Sequence, residues 1–152
     1  FKLKFNTKTR YGIRTMLEIG LKGDRNGIYQ KEISENQKIS FKYLDQIISA
    51  LKAAGLITNV KGKKSGYVLA RDAGKITMYD IFKAFEPEMN IVECLSENIH
   101  CEDENHCAPR DFWKGLNNQI IGYFTEYTLK DLMERQKAYN DKSAEDLQPG
   151  NE

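Results

Sequence analysis

The stretch from residue 30 to residue 70 constrains the fold more than any other part of this sequence. Within it, QKEISENQ predicts a short helix over residues 30–37, and FKYLDQIISALKAAG predicts a second helix, capped by Ser40 and stopped by Gly55. Two short helices joined by a tight turn are the pattern of a helix-turn-helix. The second helix places four apolar residues on one face: Leu44, Ile47, Ile48 and Leu51.

A basic hairpin follows directly. The stretches LITNV and YVLA, separated by KGKKSG, predict two short strands with a tip rich in glycine and lysine. A helix-turn-helix followed by such a hairpin is a winged helix. We therefore expect a mainly α fold with a small β-hairpin wing.

The distribution of charge separates the chain into two halves. The formal net charge is only +1, but residues 1–75 hold 16 Lys and Arg against 6 Asp and Glu, whereas residues 76–152 hold 7 against 16. A basic half that contains both the helix-turn-helix and the wing indicates contact with a polyanion such as nucleic acid. Charge alone leaves open a solvated surface that is merely uneven.

A long helix is predicted from Pro109 to about Tyr127, because proline suits the first turn of a helix and apolar residues then recur every three or four positions. A seam with a period of about 3.5 residues is typical of helices that pack against a second copy. Packing within one chain is the alternative. The predicted dimerisation residues are Trp113, Leu116, Ile120, Tyr123, Phe124 and Tyr127.

The chain thus divides into four parts. Residues 1–86 form a winged helix-turn-helix domain, residues 87–108 a cysteine-bearing loop, and residues 109–139 the dimerisation helix and a terminal helix. The polar residues 140–152 are predicted to be disordered. No apolar run approaches the roughly 18 residues of a membrane span, and the first residues lack a signal-peptide stretch, so we expect a cytoplasmic protein.

All three cysteines lie in ECLSENIHCEDENHCAPRDFW, residues 93–113. In the cytoplasm thiols are kept reduced, so three clustered cysteines indicate metal binding or redox sensing more than disulfides. Their spacing does not separate an iron-sulfur cluster from zinc, and a metal-free thiol sensor also remains open. The predicted ligands are Cys94, Cys101 and Cys107.

The segments TKTRYGIRTMLEI, KEISENQKISFKYLDQIISALKAAGLI, VKGKKSGYVLARDAGKIT and FWKGLNNQIIGYFTEYTLKDL resemble, in order and spacing, the bacterial winged-helix regulators that include IscR, NsrR and CymR. The resemblance covers roughly residues 2–135. It implies a homodimer whose long helices cross and whose recognition helices read a palindromic promoter in double-stranded DNA. The three cysteines place the chain nearest the cluster-binding IscR-like branch, which implies a [2Fe-2S] cluster.

One feature departs from that branch. Where it has a histidine three residues after the last cysteine, this chain has Arg110, and Arg10 stands where NsrR-like members borrow a carboxylate. A guanidinium stays protonated and cannot ligate, so the fourth ligand is open. The candidates are His106, His100, Glu102 and Glu104. The two histidines are as readily explained as exposed loop residues, and the two glutamates are more readily explained as part of a solvated run of acidic charge.

The predicted DNA contacts come from the two elements of the basic half. The start of the recognition helix can reach base edges in the major groove, and the wing tip can contact phosphates or a minor groove. These residues are Ser40, Lys42, Tyr43, Asp45, Gln46, Lys61, Lys63 and Lys64.

An enzyme is not expected, because the sequence shows neither a nucleophile paired with a base nor paired acids, and no small-molecule substrate is implied. The rival to a DNA-binding regulator is a zinc-stabilised module that binds protein.

Overall fold

The computed structural model of the protein describes residues 3–60 and 66–147. Two single turns of 3-10 helix, Ala73–Lys75 and Glu93–Leu95, connect larger elements. The mainly α winged-helix fold predicted from the sequence is confirmed. The main elements are α1 (Thr7–Lys22), α2 (Gln30–Gln37), α3 (Phe41–Ala53), β1 (Ile57–Asn59), β2 (Tyr67–Leu69), α4 (Met78–Lys83), α5 (Ala108–Glu126) and α6 (Leu129–Asp146).

The helix-turn-helix consists of α2, a two-residue turn, and α3, which is capped by Ser40. Helix α2 ends at Gln37, and its C-cap residue Lys38 has a φ of 54°, in the left-handed region, which turns the chain sharply. The Ser40 side chain then accepts from the backbone N–H of Tyr43 at 3.2 Å and starts α3. Buried Ile39 anchors the turn, so α3 has a fixed orientation relative to α2.

The wing hairpin is joined to the chain that precedes α2. Strands β1 and β2 are antiparallel, with Ile57 opposite Leu69, and Ile28 pairs with Tyr67 on the other side of β2 through bonds of 3.0 and 2.8 Å. The backbones of Gly27 and Gly66 approach so closely that a Cβ on Gly66 would lie 2.5 Å from the Gly27 carbonyl carbon. The base of the wing is thereby held beside the helix-turn-helix.

A single core joins the winged-helix elements to the start of α6. Helix α1 contributes Met16 and Ile19, α3 contributes Leu44 and Ile47, and Leu129 is completely buried with them. Two 2.8 Å backbone hydrogen bonds, from Met78 to Tyr127 and from Leu129 to Ile76, tie the start of α4 to the junction of α5 and α6. The C-terminal helices are therefore fixed to the winged-helix elements at one end.

The predicted disorder from residue 140 is wrong for the described part of that segment. Helix α6 runs to Asp146, and residues 148–152 lie outside the described residues. The Gln136 side chain donates to Asn140 at 3.0 Å, and the Ser143 hydroxyl donates to the Tyr139 carbonyl. The polar composition of the described part of this segment correctly indicates that this part makes no contact with the core. Residues such as Lys142, Ala144 and Glu145 are nevertheless good helix formers, and they extend a helix that is already nucleated.

Candidate DNA-binding surface and cysteine loop

The recognition helix α3 has one buried face and one polar face. Leu44, Ile47 and Leu51 are completely buried, whereas the side chains of Lys42, Asp45 and Gln46 are exposed. The helix has no acidic residue in its first turn, so its N-terminal dipole and Lys42 together give a front that favours an anion. This front has the length and chemistry needed to enter a major groove.

Tyr43 differs from the other predicted contact residues because it also has a packing role. Its ring is half-buried and meets the ring of Tyr11, on α1, edge to face at 5.9 Å between centroids. The Tyr11 ring also lies under the guanidinium of Arg14, 5.0 Å from the ring centroid. Tyr43 thus connects the front of α3 to the supporting helix α1.

Asp45 lies close to the base of the wing. The Gln30 amide is 3.4 Å from the Asp45 carboxylate, and the Tyr67 hydroxyl lies 3.5 Å from the Gln30 side-chain oxygen. Burial raises the pKa of the Tyr67 hydroxyl, and the nearby charge of Asp45 raises this pKa further. The recognition helix and strand β2 therefore face each other through polar groups, with Gln30 between them.

Lysine 52 is a surface cation that the sequence analysis did not single out. Its ammonium donates to the Asn59 side chain at 2.8 Å and lies 5.8 Å from the centroid of the Tyr67 ring. It therefore places a positive charge between the end of α3 and the hairpin. The predicted wing contacts, Lys61, Lys63 and Lys64, all lie outside the described residues.

The cysteine loop is attached to α5 at both of its ends. Buried Asn117 donates to the Met89 carbonyl at 2.8 Å and accepts from the Ile91 N–H at 3.0 Å, which fixes the first residues of the loop. The Arg110 guanidinium donates to the Cys94 carbonyl at 3.3 Å, and Cys107 is the N-cap residue of α5. Two of the three cysteines therefore lie at the first turn of the long helix.

The loop between these points contains several tight turns, two of which surround the second cysteine and the second histidine. The N–H of Glu104 donates to the Cys101 carbonyl at 3.1 Å, and the N–H of His106 donates to the Asp103 carbonyl at 2.9 Å. All three cysteines are free thiols; Cys101 is exposed and the other two are half-buried. Of the candidate fourth ligands His100, His106 and Glu102 are exposed and Glu104 is half-buried.

Within residues 3–60 and 66–147, no three cysteine, histidine or acidic side chains lie close enough together to hold a metal ion. The donor set itself has the right chemistry, since three reduced thiols within a short segment suit an iron-sulfur cluster or zinc. The loop carries few apolar residues and is fixed only at its ends. Holding one metal centre with all three sulfurs would therefore require a rearrangement of the loop that carries them.

The predicted dimerisation residues, on α5 and at its C-cap residue Tyr127, divide into two groups. Ile120, Phe124 and Tyr127 are half-buried within the chain, and the Phe124 ring packs against Phe5 and Phe82 with centroids 5.2 and 5.9 Å away. The remaining predicted residues face outward, and Phe112, which the sequence analysis did not include, faces outward as well. The exposed fractions are 65% for Phe112, 38% for Trp113, 39% for Leu116 and 66% for Tyr123.

A known family of proteins matches almost the whole of this chain. The model of the Rrf2 family, described as iron-dependent transcriptional regulators, matches residues 5–135. The chain belongs to the Rrf2 family. As in its relatives, the winged helix of this Rrf2-family protein is that of a DNA-binding transcriptional regulator, and those relatives are not enzymes.

Individual relatives share both sequence and fold with this Rrf2-family protein. The regulator IscR of Cronobacter sakazakii is 29% identical over 135 residues, which are 89% of this chain and 83% of the relative. The structure of CymR, the global cysteine regulator of B. subtilis, has a TM-score of 0.73 and 31% identity, with 88% of this chain and 98% of that chain covered. T. potens IscR has a TM-score of 0.70 and 27% identity over 99% of this chain and 94% of that chain.

None of the helices in the described ranges is both long enough and apolar enough to cross a membrane.

Proposed function

We propose that this Rrf2-family protein is a cytoplasmic, homodimeric transcriptional regulator that binds palindromic double-stranded DNA and senses iron-sulfur, redox or nitric-oxide status through an iron-sulfur cluster held by Cys94, Cys101 and Cys107. The observation that carries the DNA-binding part is the exposed polar front of α3 beside the wing. The opposite face of α3 is completely buried, so its orientation is set by the core.

The homodimer is supported by the outward face of α5. Phe112, Leu116 and Tyr123 lie on that helix at spacings of four and seven residues, and each keeps more than a third of its side-chain surface exposed. Exposed aromatic residues at helical spacing are typical of helix-to-helix interfaces. A two-fold axis through this face would present two copies of α3 to two half-sites of one operator, spaced by one or more turns of DNA.

The cluster is supported by the donor set and by the family. When bound, such a cluster supplies a centre whose stability depends on oxidants, nitric oxide and iron supply. The three cysteines would hold it, by resemblance as [2Fe-2S], with a fourth ligand from His106, His100, Glu102, Glu104 or the partner subunit. Because Cys94 and Cys107 adjoin the first turn of α5, any rearrangement of the loop acts directly on the start of the proposed dimerisation helix.

A competitive selection from random DNA tests the DNA-binding part. Wild-type protein is expected to enrich a palindrome and to lose affinity steeply with added salt. Gln46→Ala is expected to relax preference at one base pair of each half-site by about 1–3 kcal/mol. The matched control is Gln136→Ala on α6, which lies far along the chain from the winged helix and should leave the selected site unchanged.

Two results would contradict this part of the proposal. One is a selection that yields no palindrome together with binding that is insensitive to salt. The other is a Gln46→Ala protein whose preferred sequence is the same as that of the wild type. A colourless, anaerobically purified protein that holds stoichiometric zinc would instead favour the zinc-stabilised alternative.

A further inference from the structure

A polar network connects α1 to the end of α2, one residue before the turn of the helix-turn-helix. It consists of Arg14 and Glu18 on α1 and Gln37, the last residue of α2. The guanidinium of Arg14 donates to the Gln37 side-chain oxygen at 3.0 Å and to the Gln37 backbone carbonyl at 2.8 Å. We call these three side chains the Arg14 network.

Glu18 completes the network from the buried side. Only 5% of the surface of Glu18 is exposed, and its carboxylate accepts from the Gln37 amide at 2.8 Å and from the Asn36 amide at 2.6 Å. The Lys22 ammonium lies 2.9 Å away on the same helix. Burial by itself would raise the pKa of the Glu18 carboxyl, but the hydrogen bonds from Lys22, Asn36 and Gln37 and the Lys22 charge hold the pKa below its ordinary value.

The Arg14 network contacts the end of α2 next to the turn, and this turn sets the orientation of the recognition helix. Lys38 follows Gln37 directly and adopts the left-handed conformation, and Ser40 then caps α3. The Ser34 hydroxyl donates to the Ile39 carbonyl at 2.6 Å, so the turn has little freedom of its own. Because Arg14 fixes both the side chain and the last carbonyl of Gln37, it fixes the point from which the turn and α3 depart.

Arg14 also reaches the front of α3 by a second route. Its guanidinium lies over the Tyr11 ring, and Tyr11 contacts Tyr43 in the first turn of α3. The α2 carbonyl that Arg14 binds is at the negative end of a helix dipole, where a cation is favourable. A guanidinium suits this place better than an ammonium because it donates from two nitrogens in a fixed fork.

We infer that Arg14 is a positioning residue for sequence recognition: through Gln37 and Tyr11 it sets the orientation of α3 in the major groove. The inference rests on the proposed DNA-binding function. A positioning residue affects the affinity for the specific operator, whereas a cation that only attracts phosphate affects all DNA alike. These two roles predict different results for the same substitution.

The chain offers a matched control in Arg10, one helical turn before Arg14. Both arginines are exposed on α1, but the only side-chain hydrogen bond of Arg10 among the described residues is with Thr7, on its own helix, at 3.3 Å. Arg14→Ala and Arg10→Ala therefore remove the same charge from the same surface. Only Arg14→Ala removes contacts with α2.

The experiment measures the affinity of each variant for the operator selected by the wild type and for an unrelated duplex of equal length, over a range of salt. Arg14→Ala is expected to weaken operator binding about tenfold more than it weakens binding to the unrelated duplex. Its salt slope on the unrelated duplex should match that of Arg10→Ala. Arg10→Ala should lower both affinities by the same factor.

Arg14→Lys and Glu18→Gln extend the test. Arg14→Lys restores the charge without the fork, so the operator preference should stay low. Glu18→Gln should lower the same preference while leaving the positive charges of Arg10 and Arg14 in place. Equal losses on both duplexes for Arg14→Ala, or full recovery with Arg14→Lys, would overturn the inference. If the wild type itself selects no operator, the proposed function fails before the inference is reached.

Discussion

The side-chain amide of Asn117 donates a 2.8 Å hydrogen bond to the backbone carbonyl of Met89, twenty-eight residues earlier in the chain. The same side chain accepts from the N–H of Ile91 at 3.0 Å, so one buried amide satisfies both backbone groups of a passing extended segment. That segment is the first part of the cysteine loop. The bond therefore joins the loop to the middle of the helix proposed to form the dimer.

Replacing Asn117 by Ala should destabilise the protein by about 2–4 kcal/mol, because the carbonyl of Met89 and the N–H of Ile91 would both lose a buried partner. Chemical denaturation monitored by circular dichroism measures the loss. The adjacent Asn118 is exposed, and Asn118→Ala should change stability by less than about 0.5 kcal/mol. Equal effects of the two substitutions would show that the hydrogen bonds of the Asn117 side chain do not stabilise the protein.

Glycine 66 should tolerate no side chain. A Cβ there would lie 2.5 Å from the Gly27 carbonyl carbon and 2.6 Å from the Ile28 nitrogen, and backbone atoms cannot move aside as a flexible side chain can. Gly66→Ala is expected to cost about 1–3 kcal/mol and to weaken DNA binding by displacing the wing. In Gly74→Ala the new Cβ would make only ordinary contacts, at 3.4 Å and beyond, so this control should keep both properties.

Glu18 should make the stability of the protein depend on pH in the acid range. Its carboxyl has a pKa below the ordinary value when folded, so ionised Glu18 stabilises the fold above the unfolded pKa of about 4.3, and this stabilisation is lost as pH falls through the folded pKa. The free energy of unfolding of the wild type should therefore exceed that of Glu18→Gln at neutral pH, and this difference should shrink as the pH falls through the lowered pKa of folded Glu18.

Comparison of the two proteins isolates Glu18. Asp131, whose pKa is lowered by backbone and side-chain hydrogen bonds with Thr128, is present in both and cancels. If the difference in the free energy of unfolding stays constant over the acid range, Glu18 is not held ionised by Asn36, Gln37 and Lys22.

Leu116→Glu should convert the proposed dimer to a monomer, because it places an unpaired carboxylate in an apolar interface. Leu116 is exposed on the outward face of α5, so the substitution leaves the monomer core intact. Sedimentation at micromolar concentration measures the state, and Asn118→Glu on the same helix is the charge-matched control. A wild-type protein that sediments as a monomer would contradict the dimer, as would Leu116→Glu protein that remains dimeric.

Much of the fold follows from local signals in the sequence. Ser40 was expected to cap α3, and it does so; Gly55 was expected to stop the helix, and it has a φ of 71° two residues beyond the last residue, Ala53. The helix over residues 30–37 has the predicted bounds. These signals are readable because capping and helix termination depend on a few neighbouring residues.

Contacts between distant segments could not be read in the same way. Nothing in the sequence pairs Asn117 with Met89 or Arg14 with Gln37, because such bonds depend on the relative placement of whole helices. The aromatic seam of α5 illustrates the same limit. Its period predicted a helix with an apolar side, but only the packing of Phe124 against Phe5 and Phe82 distinguishes residues buried within the chain from those that face outward.

Local signals in the sequence predict least about the conformation of the cysteine loop. Its spacing gave three candidate ligands, and the structure places Cys94 and Cys107 at the start of α5, but the described residues do not bring three donors together. A polar loop of this kind has no core to fix its shape, so ligand binding and not packing would set it.

The most direct test of cluster-dependent DNA binding compares the wild type with a triple variant in which Cys94, Cys101 and Cys107 are all changed to Ala. Both proteins are purified anaerobically, and the visible absorption spectrum and the operator affinity of each are measured. The account predicts a coloured wild type, a colourless variant, and affinities that differ by about 5- to 150-fold, the usual range of coupling between two sites. A triple variant with the wild-type spectrum and the wild-type operator affinity would contradict it.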